Sequence, residues 1–125
     1  MTVACDSQTP QPAPEPTSAA LPEWEVDPTW PPTLPNDWIP GDIRGLFVDE
    51  SDHLWVVHMP SSLTRQEIGA AEDPPIADCC FPAPPVLELD PEGNVLQAWG
   101  GPGEGYTWFD QEHGIYLDHN GFVWL

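Results

Sequence analysis

The chain has 125 residues, 18 of them proline, and 21 acidic side chains against only two basic ones, which gives a formal net charge of −19. A surface this acidic repels the phosphates of nucleic acids and of anionic membranes, so we expect neither as a direct partner. No run of about 18 apolar residues is present, so the sequence predicts no membrane-spanning helix. The three cysteines are an odd number, which argues against a framework of paired disulfides.

Residues 1–22 predict a disordered tether. Residues 6–22 are rich in proline, serine and threonine and cannot bury enough apolar surface to offset the entropy of ordering. Residues 2–5 resemble the end of a bacterial lipoprotein signal, in which small residues precede a lipidated cysteine, here Cys5. We therefore expect a longer precursor with the signal peptide upstream, a periplasmic or extracellular location, and membrane contact only through a lipid on Cys5. The alternative is a cytosolic chain in which Cys5 is inert.

Residues 23–40 form a second segment, in which three tryptophans lie between five prolines. Proline excludes a regular helix or a central strand here. Because large aromatic side chains favour burial, we expect Trp24, Trp30 and Trp38 to lie against the outside of a sheet as an irregular arm. The alternative is an aromatic platform for a ligand.

Two hairpins follow, marked by alternating apolar residues and polar turns. The four predicted strands are residues 44–49, 53–58, 85–90 and 94–99. Between the hairpins lies an insertion, residues 59–84, which carries two adjacent cysteines and a segment, residues 62–67, suited to one or two helical turns. Long insertions of this kind are commonly functional.

The phrase at residues 112–125 repeats the phrase at residues 43–56 after a shift of 69 positions. The aligned pairs include Gly45 and Gly114, Asp49 and Asp118, and Trp55 and Trp124. Without the 26-residue insertion the repeat is 43 residues long, which lies within the usual length of about 40–45 residues for a β-propeller blade. The repeated phrase is therefore the first half of a second structural unit.

The order of the predicted elements is typical of propeller blades: four antiparallel strands, then a glycine-rich crossing loop, then a new first strand. We predict an all-β fold, an incomplete β-propeller over residues 41–125. Blade one covers residues 41–99 and includes the insertion 59–84, and the start of blade two covers residues 112–125. Because a propeller closes only with several blades, we expect this chain to be an N-terminal fragment of a larger protein.

Two motifs resemble those of the NHL-repeat six-bladed β-propellers. One is Gly-apolar-x-apolar-Asp followed by apolar-Trp-Val in the first hairpin, and the other is LELDPEGNVLQAWG at residues 87–100. More narrowly, residues 26–125 resemble a group of bacterial exported propellers that are named for similarity to peptidyl-α-hydroxyglycine α-amidating lyase. The resemblance implies the fold and six blades in the complete protein, and it implies no single reaction.

The resemblance also implies a metal-binding role for His113. The amidating lyase holds zinc in its central channel through histidines that stand just before the glycine of an innermost strand, and His113-Gly114 matches that phrase. Zinc or calcium would then be the cofactor of the complete propeller. The alternative is that His113 is a polar channel-lining residue. Arg44 stands at the matching position of the first hairpin, where it would orient a carboxylate ligand or pair with Asp42.

The remaining polar residues have simpler interpretations. Cys79 and Cys80 are candidates for a vicinal disulfide that stiffens the insertion, since export favours oxidation. Three aspartates, Asp49, Asp90 and Asp118, stand at hairpin turns, where such side chains accept backbone N–H bonds, so we expect them to be structural.

For the whole protein we expect a ligand-binding or scaffold role in the cell envelope. The channel mouth and the insertion with Cys79 and Cys80 would bind an unknown protein or small-molecule ligand. The alternative is a metal-dependent lyase or hydrolase that works in the channel, with His113 as one ligand. The sequence by itself names no catalytic residue.

Overall fold

The computed structural model describes residues 21–125, and this part of the chain is β structure with almost no helix, which confirms the all-β class. Its helical segments are three single turns of 3-10 helix at Pro35–Asp37, Pro60–Ser62 and Gly69–Ala71. Within the described residues, no helix has the length and apolar character needed to cross a membrane. Cys5 and most of the predicted tether lie outside the described residues.

Eight strands follow one another along the chain. In chain order they are β1 Trp38–Ile39, β2 Asp42–Val48, β3 Leu54–Met59, β4 Phe81–Pro82, β5 Val86–Leu89, β6 Val95–Trp99, β7 Tyr116–Leu117 and β8 Val123–Trp124. Strands β2, β3, β5 and β6 form one antiparallel sheet in that order. Strand β7 pairs antiparallel with β8, and β1 pairs parallel with β4. The four predicted strands of this sheet are confirmed, with ends that differ by two residues at most.

Both faces of the four-stranded sheet are apolar. Side chains alternate between the faces along each strand, and the central strands β3 and β5 carry apolar residues at consecutive positions. On one face the buried residues are Val56, Ala83, Leu87 and Leu89. On the other face they are Trp55, Val57 and Val86. A sheet that is apolar on both sides needs a covering layer on each, and the chain supplies two.

The hairpin β7–β8 repeats the hairpin β2–β3, so we call β2–β3 the first hairpin and β7–β8, with the residues leading into it, the second hairpin; the second hairpin covers the face that carries Trp55. Its side chains Ile115, Leu117 and Val123 pack against that face. The hairpin also approaches the edge strand β2, where the backbone N–H of Gly114 donates a hydrogen bond of 3.3 Å to the carbonyl oxygen of Arg44. A Cβ atom at Gly45 would lie 2.8 Å from the Cα atom of Gly114, so glycine permits this approach of the two backbones.

The Trp/Pro-rich arm covers the opposite face only in part. Leu34 and Trp38 pack against the buried cluster there. Trp30 is about one-third exposed and donates its indole N–H to the carbonyl oxygen of Pro91. Trp24 is 88% exposed, so the prediction that all three tryptophans lie on the sheet is wrong for Trp24. Leu34 is the first residue of the arm that packs against this cluster, and Trp24 lies ten residues before it.

The insertion forms one turn at residues 64–68, at the lower end of the expected one or two helical turns, because the backbone N–H groups of Glu67 and Ile68 both donate to the carbonyl oxygen of Thr64. In this turn the Glu67 carboxylate also accepts hydrogen bonds from the backbone N–H and the hydroxyl of Thr64. The chain then passes through the 3-10 turn at Gly69–Ala71. The four prolines between positions 74 and 84 leave the rest of the insertion without helix.

Candidate functional site

The four-stranded sheet has two ends, and each collects a different set of polar side chains. We call one end the insertion rim, where β3 ends and β5 begins and where the insertion meets the glycine-rich loop 100–111. We call the other end the turn rim, where the turns at residues 49–53, 90–94 and 118–121 lie.

An open cleft of about 410 Å³ lies at the insertion rim. The insertion and the start of β5 supply small and apolar walls, including Pro60, Ala83 and Pro85. The glycine-rich loop and the residue after it supply aromatic and acidic groups, which are Trp108, Phe109, Asp110 and Glu112. None of the lining residues, all within the described part of the chain, is basic.

Contacts with neighbouring residues fix the aromatic wall of the cleft in position. The rings of Trp108 and Phe109 stack with their centroids 4.6 Å apart and their planes 24° apart. The indole N–H of Trp108 donates a hydrogen bond of 2.9 Å to Glu112, whose side chain is buried. Trp108 also touches Gly100, where any side chain would collide with the indole ring. These contacts hold the Trp108 ring, and the Phe109 ring stacked on it, in one orientation at the cleft.

His58 lies buried beside this rim at the end of β3. Its Nδ1 accepts a hydrogen bond from the backbone N–H of Gly41, and its Nε2 lies 2.9 Å from the carbonyl oxygen of Pro84, to which it donates. Burial lowers the pKa of His58 below its usual 6.5, although the hydrogen bond to Pro84 and the charge of Glu112 oppose the shift. The neutral imidazole thus links Gly41, just before β2, to Pro84 at the end of the insertion. One signal in the sequence could have revealed this burial, since His58 continues the apolar run of β3.

Arg44 and His113, the two candidates for the channel, lie on neighbouring backbone segments. The hydrogen bond from Gly114 to Arg44 joins the segments. Both side chains are exposed, and Arg44 forms an ion pair of 3.1 Å with Asp42, which is one of the two alternatives for this residue. Among residues 21–125, His113 belongs to no group of three side chains close enough to share a metal ion. Metal binding by His113 stays a prediction.

The turn rim holds the one such group in the described residues, which is formed by Asp49, His53 and Glu88. The Nδ1 atom of His53 lies 2.8 Å from Glu88 and 3.8 Å from Asp49. Glu88 stands on β5 directly opposite Trp55 of β3, so its carboxylate enters the face that the second hairpin covers. Sequence reasoning missed this group, because nothing in the repeat places Glu88 beside the turn at Asp49.

The aspartates at the turns accept backbone N–H bonds as expected. Asp49 accepts them from Ser51 and His53, and Asp90 accepts one from Asn94. Partial burial opposes ionisation of Asp49, but hydrogen bonds from Trp55, His53 and Ser51 outweigh it, so its pKa lies below 3.8. These side chains are ionised acceptors that hold the turns.

Cys79 and Cys80 are joined in a vicinal disulfide. It lies in the insertion immediately before β4, and neither cysteine is among the residues that line the cleft. Cys5, the candidate for lipidation, lies outside the described residues.

Comparison of the sequence with protein-family models and with curated proteins finds no match. A functional conclusion must therefore come from the cleft and from the polar groups at the two rims.

Proposed function

We propose that this chain is a ligand-binding module of an NHL-type β-propeller in the cell envelope, and that it binds a small organic cation in the cleft at the insertion rim. The observation that carries the proposal is the chemistry of this cleft. It joins an aromatic pair with two carboxylates and has no basic side chain among its lining residues. The vicinal disulfide is consistent with an oxidising compartment such as the envelope.

The packing of the second hairpin supports the propeller arrangement. In a propeller, four-stranded blades stand around a central channel and pack against their neighbours. Here a four-stranded sheet is followed by a hairpin that packs on its face through Ile115, Leu117 and Val123. The first strand β2 lies beside the start of that hairpin, as innermost strands of successive blades do. The cleft then opens where the crossing loop passes from one blade to the next.

The ligand class follows from the charges and the rings. Aromatic faces attract cations by about 0.5–1 kcal/mol at exposed sites and by about 2 kcal/mol when water is excluded. Phe109 is 39% exposed and presents such a face. Asp110 and Glu112 add negative charge at the same cleft, and the net charge of −19 attracts cations from a distance. An anionic ligand would meet only repulsion here.

The test is a calorimetric titration of the 125-residue protein with choline and with 3,3-dimethylbutan-1-ol, its uncharged carbon analogue. The two compounds have nearly the same shape, so a difference in affinity reports the positive charge. We expect saturable binding of choline and weaker binding of the alcohol. Equal affinities, or no saturable binding of choline, would refute the proposal.

Two variants locate the binding in the cleft. Phe109→Ala removes the exposed ring, and the lost cation–π interaction predicts affinity for choline about 2- to 5-fold lower. Asp110→Asn removes one charge and predicts a loss of similar size. The matched control is Phe122→Ala, which removes a ring that is 64% exposed on the turn rim and should leave the affinity unchanged.

A further inference from the structure

We propose that Asp49, His53 and Glu88 form a binding site for a divalent transition-metal ion, with Zn²⁺ as the best match. The site lies on the turn rim, away from the cleft, and does not depend on the function proposed for the cleft. One ligand atom from each of the three residues lies within 4.8 Å of the other two. Nδ1 of His53 donates to Glu88 in this structure, so an ion that draws the three side chains together would take the place of that proton, which is released to water.

The burial of Glu88 is an independent observation that points to a cation in this group. Its side chain is only 8% exposed. One carboxylate oxygen, Oε1, accepts from His53, while the other, Oε2, is buried and has no hydrogen-bond partner among the described residues. A buried carboxylate oxygen without a partner is costly, and a bound cation is one of the few groups that satisfies it.

The donor set points to the kind of ion. The group offers one imidazole nitrogen and two carboxylate oxygens, a combination that suits Zn²⁺ and similar first-row ions. Ca²⁺ and Mg²⁺ prefer sites made of oxygen atoms alone. Three protein ligands would leave the fourth tetrahedral position open to water.

The hairpin already orients the first ligand. The backbone N–H groups of Ser51 and His53 bind Oδ1 of Asp49, at 2.8 Å and 3.0 Å. The indole N–H of Trp55 donates to Oδ2 at 3.0 Å and leaves that oxygen a second lone pair. Such outer hydrogen bonds fix a metal-binding carboxylate in position before the ion arrives.

The repeat supplies a natural negative control. Asp118 of the second hairpin corresponds to Asp49 and makes the same turn contacts. Phe122 occupies the position of His53, and Asp118 lies in no group of three potential ligand side chains within residues 21–125. The site therefore combines the first hairpin with Glu88 of β5 and has no counterpart at the second hairpin within the described residues.

The test is a calorimetric titration of the 125-residue protein with Zn²⁺ at pH 7, with Cys5→Ser in every sample to remove that thiol as a competing ligand. We expect one ion per chain. His53→Phe installs the residue that the second hairpin carries, and Glu88→Gln keeps the shape of the side chain. Each should weaken Zn²⁺ binding by at least about 100-fold. Loss of a residue that only hydrogen-bonds to a metal ligand costs up to about 100-fold, so loss of a ligand itself should cost at least as much.

His119→Ala and His113→Ala are the controls, because both histidines are exposed and outside the group. Both should bind Zn²⁺ like the parent protein. A parent protein that takes up no Zn²⁺, equal affinity in His53→Phe, or loss of binding in His113→Ala would each overturn the proposal.

Nuclear magnetic resonance on the protein with Cys5→Ser as its only substitution keeps the test valid if the other variants fail to fold. Addition of one equivalent of Zn²⁺ should shift the ring signals of His53 and leave those of His119 in place. If the His53 signals do not move, the group is a hydrogen-bonded pair of His53 and Glu88 and not a metal site.

Discussion

The two copies of the repeated hairpin have the same local structure and different surroundings. In each copy the aspartate accepts backbone N–H bonds from the residues two and four positions later, and its second oxygen accepts the indole N–H of the tryptophan six positions later. The indole bond is 3.0 Å from Trp55 to Asp49 and 3.1 Å from Trp124 to Asp118. Yet Trp55 is 7% exposed and Trp124 is 60% exposed.

The difference arises from the strands beside each hairpin. Strand β5 pairs with β3 and the second hairpin covers the same face, so Trp55 is enclosed. In the described residues β8 pairs with β7 alone, and Trp124 stays open to solvent. The repeated phrase thus forms its turn from its own hydrogen bonds in both copies. Burial of its tryptophan and the contact with Glu88 occur only in the first copy, where neighbouring strands enclose it.

Replacement of the two tryptophans should give the largest contrast between the copies. Trp55→Ala removes a buried indole and should lower the free energy of unfolding by about 3–5 kcal/mol. Trp124→Ala removes an exposed one and should have a much smaller effect. Urea denaturation followed by circular dichroism measures both. If Trp55→Ala does not fold, Trp55→Phe takes its place and should still cost more than Trp124→Phe. Equal losses would contradict the difference in burial.

Replacement of the two aspartates should show the same order with smaller values. Asp49→Ala leaves the indole N–H of the buried Trp55 without an acceptor, and this should cost about 2 kcal/mol. Asp118→Ala leaves the exposed Trp124 free to bond water, so the loss should be smaller. The measurement is again the free energy of unfolding in urea. A greater loss for Asp118→Ala would mean that turn formation, and not burial, sets the cost.

The pH dependence of stability should reflect the first hairpin, where His58 is buried at the end of β3. Burial lowers its pKa below 6.5, so below pH 6.5 the unfolded chain takes up a proton that the folded chain does not. The free energy of unfolding should therefore fall with pH below 6.5, by up to about 1.4 kcal/mol per pH unit until the folded pKa is reached.

His58→Asn is the matched variant for this effect. Its side-chain oxygen can still accept from the backbone N–H of Gly41, but it has no proton to gain in this range. The variant should be less stable at pH 7 and should lose less stability between pH 6.5 and pH 5 than the parent protein. Parallel curves of unfolding free energy against pH would show that His58 does not titrate differently in the two states.

Much of the sheet could be predicted because strand formation here depends on local patterns. Alternation of apolar residues located the four strands, and turn residues such as Asp49 and Asp90 located the turns. Of the one or two helical turns expected at residues 62–67, one formed, between Thr64 and Ile68. Thr64 and Glu67 hydrogen-bond each other within that turn, and the prolines that follow exclude a longer helix.

The residues of the two rims were harder to predict, because their roles depend on contacts between distant segments. His58 acquires its role from Gly41 and Pro84, which lie 17 and 26 residues away. Glu88 meets His53 across 35 residues. His113 was found from the resemblance to the amidating lyase and Arg44 from the repeat, and the two do lie on adjacent segments, but neither signal specifies what their side chains contact.

The sequence by itself determined the all-β class, the strands of the sheet and the aspartate–tryptophan pair in each hairpin, because these follow from short-range alternation and turn chemistry. Only the tertiary structure decided which tryptophan is buried, that His58 is buried and neutral, and where the aromatic cleft and the group of Asp49, His53 and Glu88 are assembled. Those outcomes depend on burial and on distances between strands, and both are set only when separate parts of the chain pack together.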